Sequence, residues 1–139
     1  ISSKTLKVAN KNIKNHKVTN IRSLESDWFN NFKEKELFDL ILTNPPYISK
    51  DDDHLNNLEL GYEPSNALVA SNDGFADIFK IIDTSPRFLS SEGLLMIEHG
   101  YTQGNRVKNY FQQKSFNNIK QHRDINQKIR VTSASKIKI

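Results

Sequence analysis

Residues 38–47 read Phe38-Asp39-Leu40-Ile41-Leu42-Thr43-Asn44-Pro45-Pro46-Tyr47. The first six are brief and apolar apart from Asp39, and two prolines follow almost at once. That combination predicts a buried strand ending at a rigid loop, because proline fixes φ and offers no N–H to a ladder. Downstream, Phe75, Ile78, Phe79 and Ile82 mark one face of a helix, which Pro86 should kink or restart. Leu94–Glu98, after the turn residue Gly93, predicts a second apolar strand. Val107, Tyr110 and Phe111 predict a helix capped by Thr102. Residues 118–123 and 128–138 are close enough to pair as a hairpin. Upstream, Leu6, Ala9 and Ile13 with Ser2 and Ser3 as caps predict an amphipathic helix over 3–16, and Val18–Leu24 a short strand. Residues 25–36, polar with isolated aromatics, predict a loop or one short helix, and residues 47–74 show little periodicity and predict a loop long enough to be functional or mobile. Alternation of this kind predicts an α/β fold: a mostly parallel sheet covered by helices, with an antiparallel ending.

Ligands in open α/β sheets bind beyond the carboxyl ends of strands, so Asn44-Pro45-Pro46-Tyr47 stands where a site is expected. Its residue types suit one chemical problem. A carboxamide nitrogen is a poor nucleophile because its lone pair is delocalised into the carbonyl. A site that accepts both N–H hydrogens holds the NH2 group and favours localisation of that lone pair. The Asn44 side-chain oxygen and a main-chain carbonyl of the Pro45 region are the candidate acceptors. Neither Pro45 nor Pro46 has a competing N–H, and both keep the acceptors aimed. The Tyr47 ring can pack on a planar target group and exclude water.

Read together, these residues resemble the motif shared by methyltransferases acting on planar NH2 groups. Three further stretches narrow the resemblance: Gly61-Tyr62-Glu63-Pro64 with Ala67-Leu68-Val69-Ala70, Gly74-Phe75-Ala76-Asp77, and Leu94-Leu95-Met96-Ile97-Glu98-His99-Gly100. In order and spacing the set resembles the release-factor glutamine N5-methyltransferases, with Ser26-Asp27-Trp28-Phe29, Arg123-Asp124 and Arg130-Val131 extending the likeness along the chain. The resemblance implies a Rossmann-like, seven-stranded methyltransferase fold and S-adenosyl-L-methionine as methyl donor. It implies as substrate a glutamine in the Gly-Gly-Gln loop of peptide-chain release factors, in the cytoplasm. Asn44, Pro45 and Tyr47 would be catalytic, Asn44 through Tyr47 would hold the substrate amide, and Asp27, Trp28 and Asn44 would line the donor site.

The chain also departs from the family. Ser26 stands where the family has glycine. The glycine-rich loop that cradles the donor is not found among the glycines at 61, 74, 93, 100 and 104. The first residue is Ile1 and the only methionine is Met96, so residues 1–139 read as the C-terminal portion of a catalytic domain, with its first strands and recognition domain outside the chain. Apolar sheet edges are then expected to stand exposed, and this chain alone is expected to bind the donor weakly or not at all.

Composition narrows the field further. With no cysteine, disulfides, thiol nucleophiles and zinc–thiolate sites are excluded. No apolar run is long enough to span a bilayer. The balance of 20 Lys+Arg against 16 Asp+Glu gives +4, and Lys4, Lys7, Lys11, Lys14 and Lys17 read as the wet face of a helix rather than a specific nucleic-acid surface. Asp51-Asp52-Asp53-His54 reads as a solvated loop, since adjacent residues seldom converge on one ion; no metal is expected. Glu98 and His99 read as positional residues beside the cleft, Glu63 as a candidate shaper of the substrate loop, and His16 and His122 as surface. Two other functions stay open on sequence: methylation of adenine or guanine amino groups, which are also planar NH2 groups, and a truncated, non-catalytic remnant.

Overall fold

The computed structural model describes residues 2–33, 37–50, 65–114 and 116–137, and the chain divides into two compact units, 1–36 and 37–139. Asp51–His54, Glu63 and the Gly61–Pro64 stretch lie outside the described residues.

In the first unit, α1 spans Ser3–Asn15, and the Ser2 hydroxyl caps it by accepting the Thr5 N–H at 3.3 Å. Leu6, Ala9 and Ile13 share its partly buried face, while Lys4, Lys7, Lys11 and Lys14 are exposed. Lys17 takes φ 52° just beyond the helix and ends it. The strand expected over Val18–Leu24 does not form. No strand among the described residues pairs with it, Ile21 and Leu24 are exposed, and alternation without a partner strand does not make a ladder.

Among the described residues the second unit forms a four-stranded mixed sheet of β1 (Phe38–Thr43), β2 (Leu89–Glu98), β3 (Phe116–Arg123) and β4 (Ile129–Lys136), in the order β1-β2-β4-β3. β1 and β2 are parallel, β2 and β4 antiparallel, and β3 and β4 form the expected hairpin. Among the described residues between β1 and β2 lie the one-turn helices α2 (Ser65–Leu68) and α3 (Ser71–Gly74), then α4 (Ala76–Thr84) and a 3-10 turn at Ser85–Arg87, where Pro86 stops α4. Loop was expected where α2 and α3 form. α5 (Gly104–Gln113) connects β2 to β3.

Register assigns side chains to faces. Leu95 pairs with Ala134 and Ile97 with Thr132, and all four are fully buried. Val107 and Phe111 of α5 are equally buried, and Phe111 meets Phe116 edge-on at 5.1 Å. α4 lies beside α5, adding Ile78, Ile81 and Ile82 to the core and stacking Phe79 on Tyr110 at 3.9 Å.

Three expectations need correction. β1 was read as buried, yet Leu40 and Leu42 are 47% and 67% exposed, because the sheet face they share with Leu94 and Met96 is left open among the described residues. β2 begins at Leu89 rather than Leu94: Phe38 pairs with Leu89, the Ser90 hydroxyl donates to Asp39 at 2.6 Å, and the register slips before Leu40 pairs with Leu94. Gly93 therefore lies inside the strand, where a Cβ would sit 2.9 Å from the Phe38 carbonyl oxygen. Thr102 does not cap α5; Gln103 occupies the cap position and turns its side chain elsewhere. Among the described residues no helix is long and apolar enough to cross a membrane.

Candidate active site at the carboxyl end of β1

β1 delivers the chain directly into the Asn44–Tyr47 bend. Asn44 is exposed, Pro45 fully buried, and Pro46 and Tyr47 partly buried. The proline rings anchor the bend, so the one polar side chain at its start faces solvent. Tyr47 is held at two points: its hydroxyl donates to Glu98 Oε1 at 3.2 Å, and its carbonyl accepts from Gln103 Nε2 at 3.0 Å. Burial, then the charge of Glu98, push the Tyr47 phenol above its usual value, so it remains a donor. Ile48 continues the restraint in a parallel bridge with Val69. It donates its N–H to Leu68 and accepts from Ala70, both at 3.0 Å.

Beside the bend lies a cavity of about 610 Å3, with Tyr47, Ser49, Phe75, Tyr101, Gln103 and Arg130 among its walls. Asp124 braces one side: its carboxylate accepts the N–H groups of Asn126 and Lys128 and pairs with Arg130 Nε at 3.3 Å. The N–H of Lys128, then that of Asn126 and Arg130 hold the Asp124 carboxyl below its ordinary range. The Arg123-Asp124 and Arg130-Val131 stretches are thus the two ends of one hairpin turn, with the Lys128 ammonium and the Arg130 guanidinium 4.4 and 5.5 Å from the Tyr101 ring centre.

His99 is fully buried. Its Nδ1 donates to the Gly100 carbonyl at 2.9 Å, and Nε2 accepts from the Thr132 hydroxyl at 2.8 Å. Burial lowers its pKa below 6.5 and keeps the ring neutral. Glu98 thus steadies Tyr47, and His99 ties β2 to β4. His122, read as surface, is exposed and bonds Ser133 Oγ at 2.8 Å. His16 is exposed and ends α1.

In the first unit, Asp27 and Trp28 sit on a tight turn. Trp28 adopts φ 51°, its carbonyl accepts from the Ser26 hydroxyl at 2.8 Å, and the same hydroxyl accepts the Asn31 N–H at 3.1 Å. The Ser26 side chain thus helps fix the turn. A tryptophan in the left-handed region is strained, and such strain concentrates at ligand sites.

Gln103 is the functional candidate that local reasoning missed. Its partners are 3, 30 and 56 residues away in sequence, so neither periodicity nor a short motif identifies it. The available signal was a polar residue at the junction between an apolar strand and a helix.

Comparison with known proteins now places the chain. It is 42% identical over 113 residues to the release factor glutamine methyltransferase of Haemophilus influenzae, covering 81% of this chain and 38% of that protein. It is 38% identical over 130 residues to that of Francisella tularensis, covering 94% and 45%. By sequence, this chain is homologous to the release factor glutamine methyltransferases. It spans about 40% of the length of those relatives. The family model for the methyltransferase small domain matches residues 1–60. A methyltransferase crystal structure from Pyrococcus furiosus superposes with TM-score 0.69 at 15% identity, covering 99% of this chain and 60% of that one, so the fold is that of a methyltransferase.

Proposed function

We propose that the intact protein carrying this chain methylates the side-chain nitrogen of a glutamine in the Gly-Gly-Gln loop of a peptide-chain release factor, with S-adenosyl-L-methionine as donor. Residues 1–139 are in this reading the C-terminal part of its catalytic domain, working in the cytoplasm where release factors act. The name borne by the relatives supports this substrate over a nucleic-acid base.

One observation carries the reading: Asn44 is exposed at the carboxyl end of β1, on a bend whose next residue is fully buried and whose last is tied at two points. A poor nucleophile needs acceptors that do not move, and this bend supplies them. The Asn44 carbonyl oxygen takes one N–H of the substrate amide and the Pro45 main-chain carbonyl takes the other. Held this way, the nitrogen would be kept oriented for methylation, with rate enhancement coming from positioning and fixed dipoles. Tyr47, hydrogen-bonded to Glu98, shields the amide plane from water.

S-adenosyl-L-methionine supplies a methyl group on positively charged sulfur, which needs no metal or acid to make it electrophilic. The residues present fit part of that group. The Trp28 indole is partly exposed on a turn braced by Ser26 and suits a flat base, with the Asp27 carboxylate beside it.

The test is methylation of release factor, compared with oligonucleotide substrates, by the intact protein and by Asn44→Ala. Asn44→Ala should lower turnover by about a hundredfold or more while donor affinity and melting temperature hold, because the side chain is exposed and acts on the substrate. Methyl transfer to oligonucleotides but not to release factor would reject the substrate; full activity in Asn44→Ala would reject the mechanism.

A further inference from the structure

We infer that Gln103 is a positioning residue for the reaction, acting through the Tyr47 carbonyl to hold the amide-gripping bend in place; the inference rests on the role proposed for Asn44–Tyr47. Gln103 is 8% exposed, and its carboxamide joins three segments. Nε2 donates to the main-chain carbonyls of Tyr47 at 3.0 Å and Asp73 at 3.4 Å, and Oε1 accepts the Gly100 N–H at 2.8 Å. Two donors and one acceptor are needed in one small space, and a carboxamide offers both kinds.

The surroundings are shaped to let that carboxamide in. Gly74 has φ +83°, and a Cβ there would sit 2.1 Å from the Tyr47 carbonyl oxygen and 2.8 Å from Gln103 Nε2. A Cβ on Gly100 would lie 3.0 Å from Gln103 Oε1. Two glycines thus clear the room in which Gln103 meets the bend. Tyr47 is separated from Asn44 only by Pro45 and Pro46, whose φ angles are fixed by their rings. Pinning the Tyr47 peptide plane therefore leaves few free torsions through which Asn44 can drift. Side-chain placement errors on the scale of an ångström are enough to cost large factors in rate.

The experiment uses the intact protein and two variants. Gln103→Glu keeps the shape and the acceptor for Gly100, but at neutral pH replaces the donor with a carboxylate facing two carbonyl oxygens. Gln103→Met keeps the approximate volume and loses every hydrogen bond. Both should lower kcat for release-factor methylation by about tenfold to a hundredfold, with little change in KM or donor affinity. The activity of Gln103→Glu relative to the unmodified protein should recover as pH falls, because the protonated carboxyl regains a donor; Gln103→Met should show no such recovery. A role in packing alone predicts the reverse: activity falling only in step with melting temperature, and no pH-dependent rescue. Wild-type kcat in folded Gln103→Met overturns the inference, and so does a flat pH ratio in Gln103→Glu. Absence of methylation by the unmodified protein is a separate result that overturns the underlying reading and this one with it.

Discussion

On one face of the sheet Leu95, Ile97, Thr132 and Ala134 are fully buried with Val107 and Phe111 of α5, whereas on the other Leu40 and Leu42 stand 47% and 67% exposed. Leu95 and Ile97 of the first group and Leu40 and Leu42 of the second lie on hydrogen-bonded neighbouring strands, and both runs were legible as apolar. Leu40 pairs with Leu94 and Leu42 with Met96, so the open patch spans two strands. An apolar run declares that a strand is built to be covered; it does not declare that the covering residues are in the same chain. The closed face supplies the rigidity on which the Asn44–Tyr47 bend rests, and the open face is where further structure is expected to dock. The comparison can be broken from either side.

The largest expected effect is on the closed face. Phe111 is fully buried, meets Phe116 at 5.1 Å and joins α5 to the hairpin. Phe111→Ala should destabilise the protein by about 3–5 kcal/mol, because the lost transfer energy is compounded by a cavity that close packing cannot refill. Denaturant unfolding measures this, and a cost near zero would mean that the closed face is not the structural base of the site.

A smaller effect belongs to His99, where the closed core meets the site. Burial lowers its pKa below 6.5, so the folded state prefers the neutral ring while the unfolded chain titrates near that ordinary value. Between the folded and unfolded values the unfolded state binds more protons, so stability must rise with pH across that window. The contribution is complete above 6.5 and is lost as pH falls below it, at no more than about 1.4 kcal/mol per pH unit. His99→Gln should be less stable than the unmodified protein at pH 7.5, yet lose less on acidification toward pH 5.5. Equal slopes of melting temperature against pH would show that His99 is not held neutral by the fold.

The sequence was most informative where local chemistry decides structure. Phe38–Thr43 formed over the expected residues because an apolar run meets two prolines, and the hairpin formed because two short strands are separated by a tight turn that Asp124 closes. Val18–Leu24 misled because alternation reports only that a strand is possible; pairing depends on a partner. The early start of β2 was hidden because Ser90, Ser91 and Glu92 are polar, and the pairing of Phe38 with Leu89 extends the strand through a break in register. At the site, Asn44 through Tyr47 were legible as a motif, and the structure brings Glu98 and Gln103 to that bend from the end of β2 and the start of α5. Those two tethers are long-range facts, and no short window contains them.

The smallest effect is expected on the open face, and it depends on what is measured. In the isolated 139-residue chain Leu42 is 67% exposed, so Leu42→Ala removes little buried surface and should change stability by less than about 0.5 kcal/mol. In the intact protein, if further structure packs on this face, the same substitution should cost about 2–5 kcal/mol, as in an ordinary core. The discriminating quantity is the difference between the two measurements, since any intrinsic strand preference of leucine over alanine is common to both. Equal small costs in chain and intact protein would mean that the exposed leucines are a true surface in both.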